Sequence, residues 1–266
     1  MLYLYIIASA VITLFSGVTT ASGSIWKTPL CLVLCFLGFI ALHAAVFFVT
    51  PYVCKKNSRF FRFLVNNTLP IVIKLLRVDV HITGTEKVPE GERFLLVSNH
   101  IHNIDPAIIL YALPNAELSF IGKKEIKELM PFVYRVFCAL GCISIDRENN
   151  REGAQAIINA CKIIKEDVGS VGIFPEGYTS LDGNLQPFRN GALKIATKTG
   201  SKIVVCTLVG TKQAIKRIFL HRTHIYFDVL GVVDTAENIH TNELGDKIHE
   251  MMARSIDKRR EETQNV

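Results

Sequence analysis

A histidine and an aspartate stand five residues apart and are of the types that acid–base chemistry needs. His100 follows the apolar run Phe94–Val97, and Asp105 is followed at once by Pro106. The run has the length and composition of a buried strand, and Asp-Pro is typical of a helix start. An Asp carboxylate in such a connection can hold one imidazole nitrogen, so that the other nitrogen takes a proton from a hydroxyl. The alternative for this segment alone is a helix cap beside a polar loop residue.

An arginine follows a later predicted strand. The strand covers residues 142–145, and Arg147 comes just after it. The carboxyl ends of parallel strands meet at one edge of a sheet, so Arg147 is expected on the same edge as His100. Its planar fork of donors suits a phosphate or a carboxylate. The alternative is a surface ion pair with Asp146 or Glu148.

Two further strand ends carry candidate binding residues. Strand 171–174 leads into Glu176 and Gly177, where a glycine lets backbone amides approach a ligand and a carboxylate can bind hydroxyls. The alternative is a plain turn. Lys123 follows a strand predicted at 118–121 and either adds positive charge to the same edge or is simply solvated.

The segments beyond residue 78 alternate between strand and helix patterns. Strands are predicted at 78–82, 94–98, 118–121, 142–145, 171–174, 203–209 and 223–230. Helices are predicted at 106–113, 123–139, 151–166, 190–199 and 241–257. This alternation predicts an α/β fold with a mainly parallel sheet flanked by helices.

Three segments together resemble the glycerolipid acyltransferase family. They are NHIHNID, GCISIDREN and GIFPEGYTS, and the similarity runs from about Val78 to about Gly210, roughly half of the chain. The family pattern is His-x4-Asp, then a block with Arg, then Phe-Pro-Glu-Gly, then an apolar strand. The first motif alone is weak, but with Phe-Pro-Glu-Gly about 70 residues later the combination is specific.

The resemblance implies a role for each matching residue. His100 would be the general base, Asp105 would orient it, and Arg147, Glu176 and Gly177 would bind a glycerol-phosphate acceptor. The implied reaction moves an acyl group from acyl-CoA or acyl carrier protein to the sn-2 hydroxyl of 1-acyl-sn-glycerol-3-phosphate, a lysophospholipid, and gives phosphatidic acid. Backbone amides near Gly177 would hold the oxyanion. No cofactor, metal or acyl-enzyme is expected, and the sequence has no Gly-x-Ser-x-Gly elbow.

The chain departs from the family pattern at two places. Tyr178-Thr179 stands where the family usually has Thr-Arg, so that one cation is missing, and Val205 stands where the fourth block usually has proline. Arg189 or Lys123 is expected to supply the missing positive charge.

Other functions stay open at this point. The acceptor would then be another lysophospholipid or glycerol-3-phosphate, or the protein would bind membrane lipid without catalysis. A metallohydrolase is the other enzyme class, because His100, His102 and Asp105 resemble a zinc-binding cluster.

Two stretches without charged side chains predict a hairpin of membrane helices at 1–54. Residues 2–18 and 28–54 contain no titratable cation except His43, and each is near the ~20 apolar residues that a span needs. The first stretch lacks the basic start of a signal peptide and is expected to be retained. The second stretch is followed by several basic residues, whereas the connection between them offers only Lys27. The positive-inside rule therefore predicts an integral protein of the cell membrane whose catalytic domain faces the cytoplasm.

The rest of the chain completes this organisation. Residues 55–77 are expected to form an interfacial helical segment, because Lys55, Lys56, Arg59 and Arg62 alternate with phenylalanines. Residues 78–257 would form the acyltransferase domain, and 258–266 a charged, solvated tail. The seven cysteines follow no paired or metal-ligand spacing, which favours reduced thiols. The net charge is +6, but its basic cluster adjoins a predicted span, so the expected partner is the bilayer and not a nucleic acid.

Overall fold

The computed structural model describes residues 2–15, 27–146, 149–180, 183–212, 221–235 and 240–264. Arg147 of the predicted site therefore lies outside the described residues. The chain divides into two compact units, Met1–Cys54 and Lys55–Val266. Each is described by itself.

The first unit contains two helices, α1 (Leu2–Phe15) and α2 (Lys27–Val53). They pair through Tyr5, whose hydroxyl lies 2.7 Å from His43 Nδ1 and whose ring stacks on Phe39. The 25 residues Pro29–Val53 of α2 have a mean hydropathy of 2.7 and are long and apolar enough to cross a membrane. Helix α1 has 14 residues and so a length of about 21 Å, against a hydrocarbon core of about 30 Å. The two helices lie within the predicted segment 1–54, and among the described residues only α2 has the length of a span.

The second unit holds the sheet and the helices that cover it. Its helices are α3 (Arg59–Leu75), α4 (Asp105–Ala112), α5 (Ile126–Leu129), α6 (Pro131–Ala139), α7 (Asn150–Lys165), α8 (Lys194–Thr199) and α9 (Thr241–Gln264). Its strands are β1 (Val78–Thr83), β2 (Leu95–Ser98), β3 (Ser119–Lys123), β4 (Ile143–Ile145), β5 (Val171–Ile173), β6 (Ile203–Val209) and β7 (Thr223–Val233). Short 3-10 turns occupy Thr85–Lys87 and Asn190–Leu193.

The described strands form one sheet in the order β1-β7-β6-β2-β5-β3-β4. Each neighbouring pair is parallel except β6 and β7, which are antiparallel. The predicted α/β fold with a mainly parallel sheet is therefore confirmed. The short apolar run at β2 lies at the centre, where Val97 pairs with Ile173 of β5 on one side and with Val205 of β6 on the other. Both faces of β2 are buried, which explains why its sequence is continuously apolar.

The helix predicted at 123–139 is wrong in its boundaries. Lys123 is the last residue of β3, and the remainder is divided into α5 and α6 at Met130. Pro131 begins α6 because proline has no N–H to continue a preceding helix but fits the first position of a new one.

The solvated tail predicted at 258–266 is also wrong, since α9 continues to Gln264. Arg259 holds this last part of the helix against the sheet. Its Nε and Nη2 donate to the two carboxylate oxygens of Asp228 in β7, at 3.1 and 2.6 Å. Thr83 of β1 donates to the same carboxylate, so that two strands and the helix meet at one buried charge.

Helix α3 belongs to the packed core of this unit. Phe61, Leu64, Val65 and Ile73 are buried, while Phe60 and Phe63 on the other face are exposed. Arg62, predicted as part of a lipid-facing basic cluster, is buried instead. Its guanidinium donates to the carbonyls of Leu118 and Leu140 at 3.0 and 2.9 Å, and burial lowers its pKa. Arg62 is therefore a structural residue and does not face lipid.

Candidate active site

The connection from β2 to α4 brings His100 and Asp105 into contact. His100 Nδ1 lies 2.9 Å from Asp105 Oδ2. The same oxygen accepts the backbone N–H groups of Ile101 and His102, at 2.7 and 2.8 Å, and Asp105 is fully buried. A carboxylate can only accept, so the His100 proton resides on Nδ1 and the Nε2 lone pair is available to take a proton.

The carboxylate of Asp105 turns back into the loop that precedes its own helix. Asp105 is the first residue of α4, and no side-chain bond caps that helix. The alternative of a plain helix cap is therefore wrong. Pro106 suits the first turn because its missing N–H is not needed there. The negative charge at this helix N-terminus is stabilised by the helix dipole.

An aromatic side chain borders the imidazole of His100. Phe174, which directly follows β5, stacks on the imidazole with the ring centroids 4.2 Å apart. His102 is held separately, since its Nδ1 accepts the N–H of Ile104 at 3.3 Å. Within the described ranges, no group of three or more His, Cys, Asp or Glu side chains could hold a metal ion.

Glu176 lies beside His100 but with both carboxylate oxygens engaged. Oε1 accepts the backbone N–H of His100 at 2.7 Å, and Oε2 accepts the backbone N–H of Gln186 at 2.9 Å. The side chain is 0% exposed. Adjacent strands β2 and β5 explain this closeness, although the residues are 76 positions apart. The carboxylate thus connects the loop that contains His100 with the loop that contains Gln186.

The Gly177 turn needs a glycine for two reasons. Its φ is +80°, which disfavours residues with a Cβ, and such a Cβ would lie 3.0 Å from the Cδ and Nε atoms of Arg189. The Gly177 N–H donates to the carbonyl of Phe174 at 3.1 Å, so this amide is used within the turn and not for an oxyanion. Arg189 is fixed through its backbone N–H, which donates to the carbonyl of Pro175 at 2.7 Å.

Two of the predicted cations can be located. Arg189 is exposed and lies over Gly177, and Lys123 is exposed at the end of β3, the neighbour of β5. Neither forms a salt bridge with any residue that the structure describes. Arg147 lies outside the described residues. Its preceding strand β4 is at the sheet edge, with β3 between it and β5.

Asn99 shapes the loop after β2, and its role is not among the predictions from the sequence. Asn99 spans the gap between β2 and β6, where its Nδ2 donates to the Leu208 carbonyl at 2.8 Å and its Oδ1 accepts the Leu208 N–H at 2.7 Å. The pairing reproduces the bonds of one more ladder step. An asparagine directly after a buried strand was the only available signal.

Two cysteines of the second unit are held in the thiol form. Burial raises the pKa of Cys142 to about 12, and burial raises the pKa of Cys206 as well. Both therefore remain protonated at neutral pH.

Comparison with known proteins agrees with this arrangement. Residues 79–209 match the acyltransferase family model. A 1-acyl-sn-glycerol-3-phosphate acyltransferase of Borreliella burgdorferi is 30% identical over 62% of this chain and 66% of its own length. One of Haemophilus influenzae is 26% identical over 85% and 90% of the respective lengths. The crystal structure of the 1-acyl-sn-glycerophosphate acyltransferase of Thermotoga maritima has the same fold, with a TM-score of 0.67, 20% identity and 98% coverage of both chains. The resemblance carried by the three motifs is thus confirmed, and the chain belongs to the acyltransferase family.

Proposed function

We propose that the protein transfers a fatty acyl group to the sn-2 hydroxyl of 1-acyl-sn-glycerol-3-phosphate, forming phosphatidic acid in phospholipid biosynthesis. The observation that carries the proposal is the 2.9 Å contact between His100 Nδ1 and Asp105 Oδ2 at the carboxyl end of β2. The acceptor is supported by the relatives from B. burgdorferi and H. influenzae, both named for it. The acyl donor is a thioester, either acyl-CoA or acyl carrier protein.

The reaction proceeds by direct transfer. His100 Nε2 takes the proton of the sn-2 hydroxyl while its oxygen attacks the thioester carbonyl, and a C–O bond forms. Asp105 stabilises the resulting imidazolium through Nδ1. The tetrahedral oxyanion then collapses, the C–S bond breaks, and the leaving thiolate receives the proton from His100.

The phosphate of the acceptor binds to cations at the same edge of the sheet. A phosphomonoester carries close to two negative charges at neutral pH, more than one guanidinium neutralises. We assign Arg147, Lys123 and Arg189 to this group. Arg189 takes the place of the arginine that Thr179 replaces, because its side chain lies over the Gly177 turn.

The protein would act as an integral protein of the cell membrane with its catalytic unit in the cytoplasm. Helix α2 supports the anchor, and the basic residues Lys55 and Lys56 that follow it support the orientation. Attachment should survive washing at high salt, which screens charge but not apolar burial. Release by salt alone would contradict an anchor of this kind.

The test is an assay of full-length protein in membranes with labelled acyl-CoA or acyl carrier protein and a panel of acceptors. Lysophosphatidic acid should have a higher kcat/KM than lysophosphatidylcholine, lysophosphatidylethanolamine and glycerol-3-phosphate. His100→Ala should lower the rate on the order of 10²–10⁴-fold, and His102→Ala should have a small effect. Equal losses at the two histidines would favour metal chemistry and refute the mechanism.

The phosphate assignment has its own control. Arg189→Ala should raise the KM for lysophosphatidic acid and leave the KM for the acyl donor unchanged. Arg254→Ala, at an exposed arginine whose ion pair is with Glu250 on the same helix, should change neither. If lysophosphatidic acid is turned over no better than the other lysophospholipids, the phosphate site is wrong, although the chemistry at His100 would stand.

A further inference from the structure

The turn between α5 and α6 presents large apolar side chains to solvent. Leu129 is 79% exposed, and Met130 and Val133 are 46% and 42% exposed. These residues, called the apolar tip below, lie within five consecutive positions. Scattered apolar residues on a surface are ordinary, but several together with such exposure indicate a surface that contacts something apolar.

Other side chains of these helices face the sheet. Phe137 and Ile126 pack against Gly122 of β3 on the inner face. A Cβ at Gly122 would lie 2.9 Å from the Phe137 ring. Tyr134 adds a contact from its hydroxyl to Ser144 Oγ of β4 at 3.5 Å. The inner side chains therefore pack on the sheet, and the exposed side chains of the apolar tip can contact a partner.

The apolar tip stands at the carboxyl ends of the strands. Lys123 ends β3, and the N–H of Lys124 donates to the carbonyl of Ile145 at the end of β4, so α5 begins on this edge of the sheet. The same edge carries His100 after β2 and Gly177 after β5. The apolar side chains therefore project from the side of the unit where the acceptor must enter.

The charge around the apolar tip selects the kind of partner. The exposed cations between positions 123 and 135 are Lys123, Lys124, Lys127 and Arg135, and the acidic residues are Glu125 and Glu128. Cations therefore exceed acids in this segment, and Lys124 is also paired with Glu152 of α7 at 3.7 Å. Apolar side chains within a basic surround match the interface of an anionic bilayer, where each cation near the surface adds attraction and each apolar side chain enters the acyl boundary.

We propose that the apolar tip inserts into an anionic bilayer and holds the catalytic edge against it. This rests on the proposed function, because an acceptor with a fatty acyl chain resides in the bilayer and only its headgroup needs to reach His100. The contact is made by the catalytic unit itself and is separate from the apolar helix α2. Insertion would raise the chance of capture of bilayer-held acceptor without changing the chemistry.

The test compares full-length wild type with the triple variant Leu129→Ser, Met130→Ser, Val133→Ser in phosphatidylglycerol-containing vesicles. The triple variant loses the favourable free energy of burying these apolar side chains in the bilayer. Its kcat/KM for long-chain lysophosphatidic acid should therefore fall about tenfold or more. Turnover of a short-chain, water-soluble acceptor should match wild type. Ile158→Ser, at a residue of α7 that is 55% exposed, is the matched control and should change neither rate.

A direct reading of depth completes the test. Leu129→Trp in a background with Trp26, the single tryptophan, changed to Phe should be quenched by lipids brominated on the acyl chain. Ile158→Trp in the same background should not be. Absence of quenching at position 129, or an equal loss with the soluble acceptor, would overturn the proposal. A different result would contradict the proposed function. In that case position 129 would be quenched, but wild type would turn over no acceptor.

Discussion

Replacement of Glu176 separates a positioning role from a substrate-binding role. Two backbone N–H groups, those of His100 and Gln186, donate to this carboxylate. In Glu176→Gln the amide presents one oxygen and one NH₂ group, so one of the two N–H groups must face another donor. In Glu176→Ala both lose their acceptor. Each buried N–H left without a partner costs about 1–3 kcal/mol, which amounts to about 2–6 kcal/mol for the alanine variant.

The effect on catalysis follows from the hydrogen bond between the backbone N–H of His100 and Glu176 Oε1. Oε1 fixes the backbone of the general base itself, so its loss lets the imidazole move relative to the acceptor hydroxyl. A displacement near 1 Å can cost on the order of 10²-fold in rate. We therefore expect Glu176→Gln to lower kcat on the order of 10–10²-fold, with the KM values for donor and acceptor within about twofold of wild type.

The assay is steady-state kinetics in vesicles with both substrates varied, together with thermal unfolding of each variant. Glu176→Asp is the second variant, because it keeps the charge but is too short to reach both donors. Its kcat should also fall. If Glu176→Gln instead raises the acceptor KM tenfold with kcat unchanged, the carboxylate binds the acceptor and the reasoning from its two backbone bonds is refuted.

The other predictions concern charge and packing. Asp105→Asn should lower kcat on the order of 10²–10⁴-fold, with little change in Tm. Oδ1 accepts no hydrogen bond from the described residues, so the NH₂ group of asparagine can take its place. The amide oxygen then keeps the bonds that Oδ2 makes. A Tm loss as large as that of a core mutation would contradict this. Arg62→Met should destabilise the fold by about 2–4 kcal/mol in denaturant unfolding, because two buried carbonyls lose their donor; no change would mean that the buried guanidinium does not stabilise. Truncation after residue 257 should lower Tm, and Arg259→Gln alone should reproduce most of the loss, because the buried Asp228 carboxylate keeps Thr83 but loses its cationic partner. A fully stable truncation would return these residues to a dispensable tail.

The parts of the fold that the sequence predicts are those with local patterns. The run at β2 and the Asp-Pro pair at residues 105 and 106 mark a strand and a helix start. A connection of five residues between them allows the contact of His100 with Asp105 that the structure shows. The Arg62 and Arg259 contacts could not be predicted in this way. Their partners lie 56 and 31 positions away, and a basic residue on an amphipathic helix has the same local pattern whether it is buried or solvated.

The same limit applies to the backbone contacts of Glu176. Its motif places a carboxylate at the edge of the site, and a carboxylate next to a glycine turn suggests ligand binding. The role depends on which donors surround it, and those come from the loops after β2 and before α8. Because parallel β2 and β5 are neighbours, their two exits are forced together, and two backbone N–H groups at this meeting point require a buried acceptor. Glu176 accepts hydrogen bonds from these two N–H groups, which the strand order brings together. We therefore propose that the acceptor phosphate binds to side chains that are exposed and form no salt bridge among the described residues, Arg189 over the turn and Lys123 on the next strand.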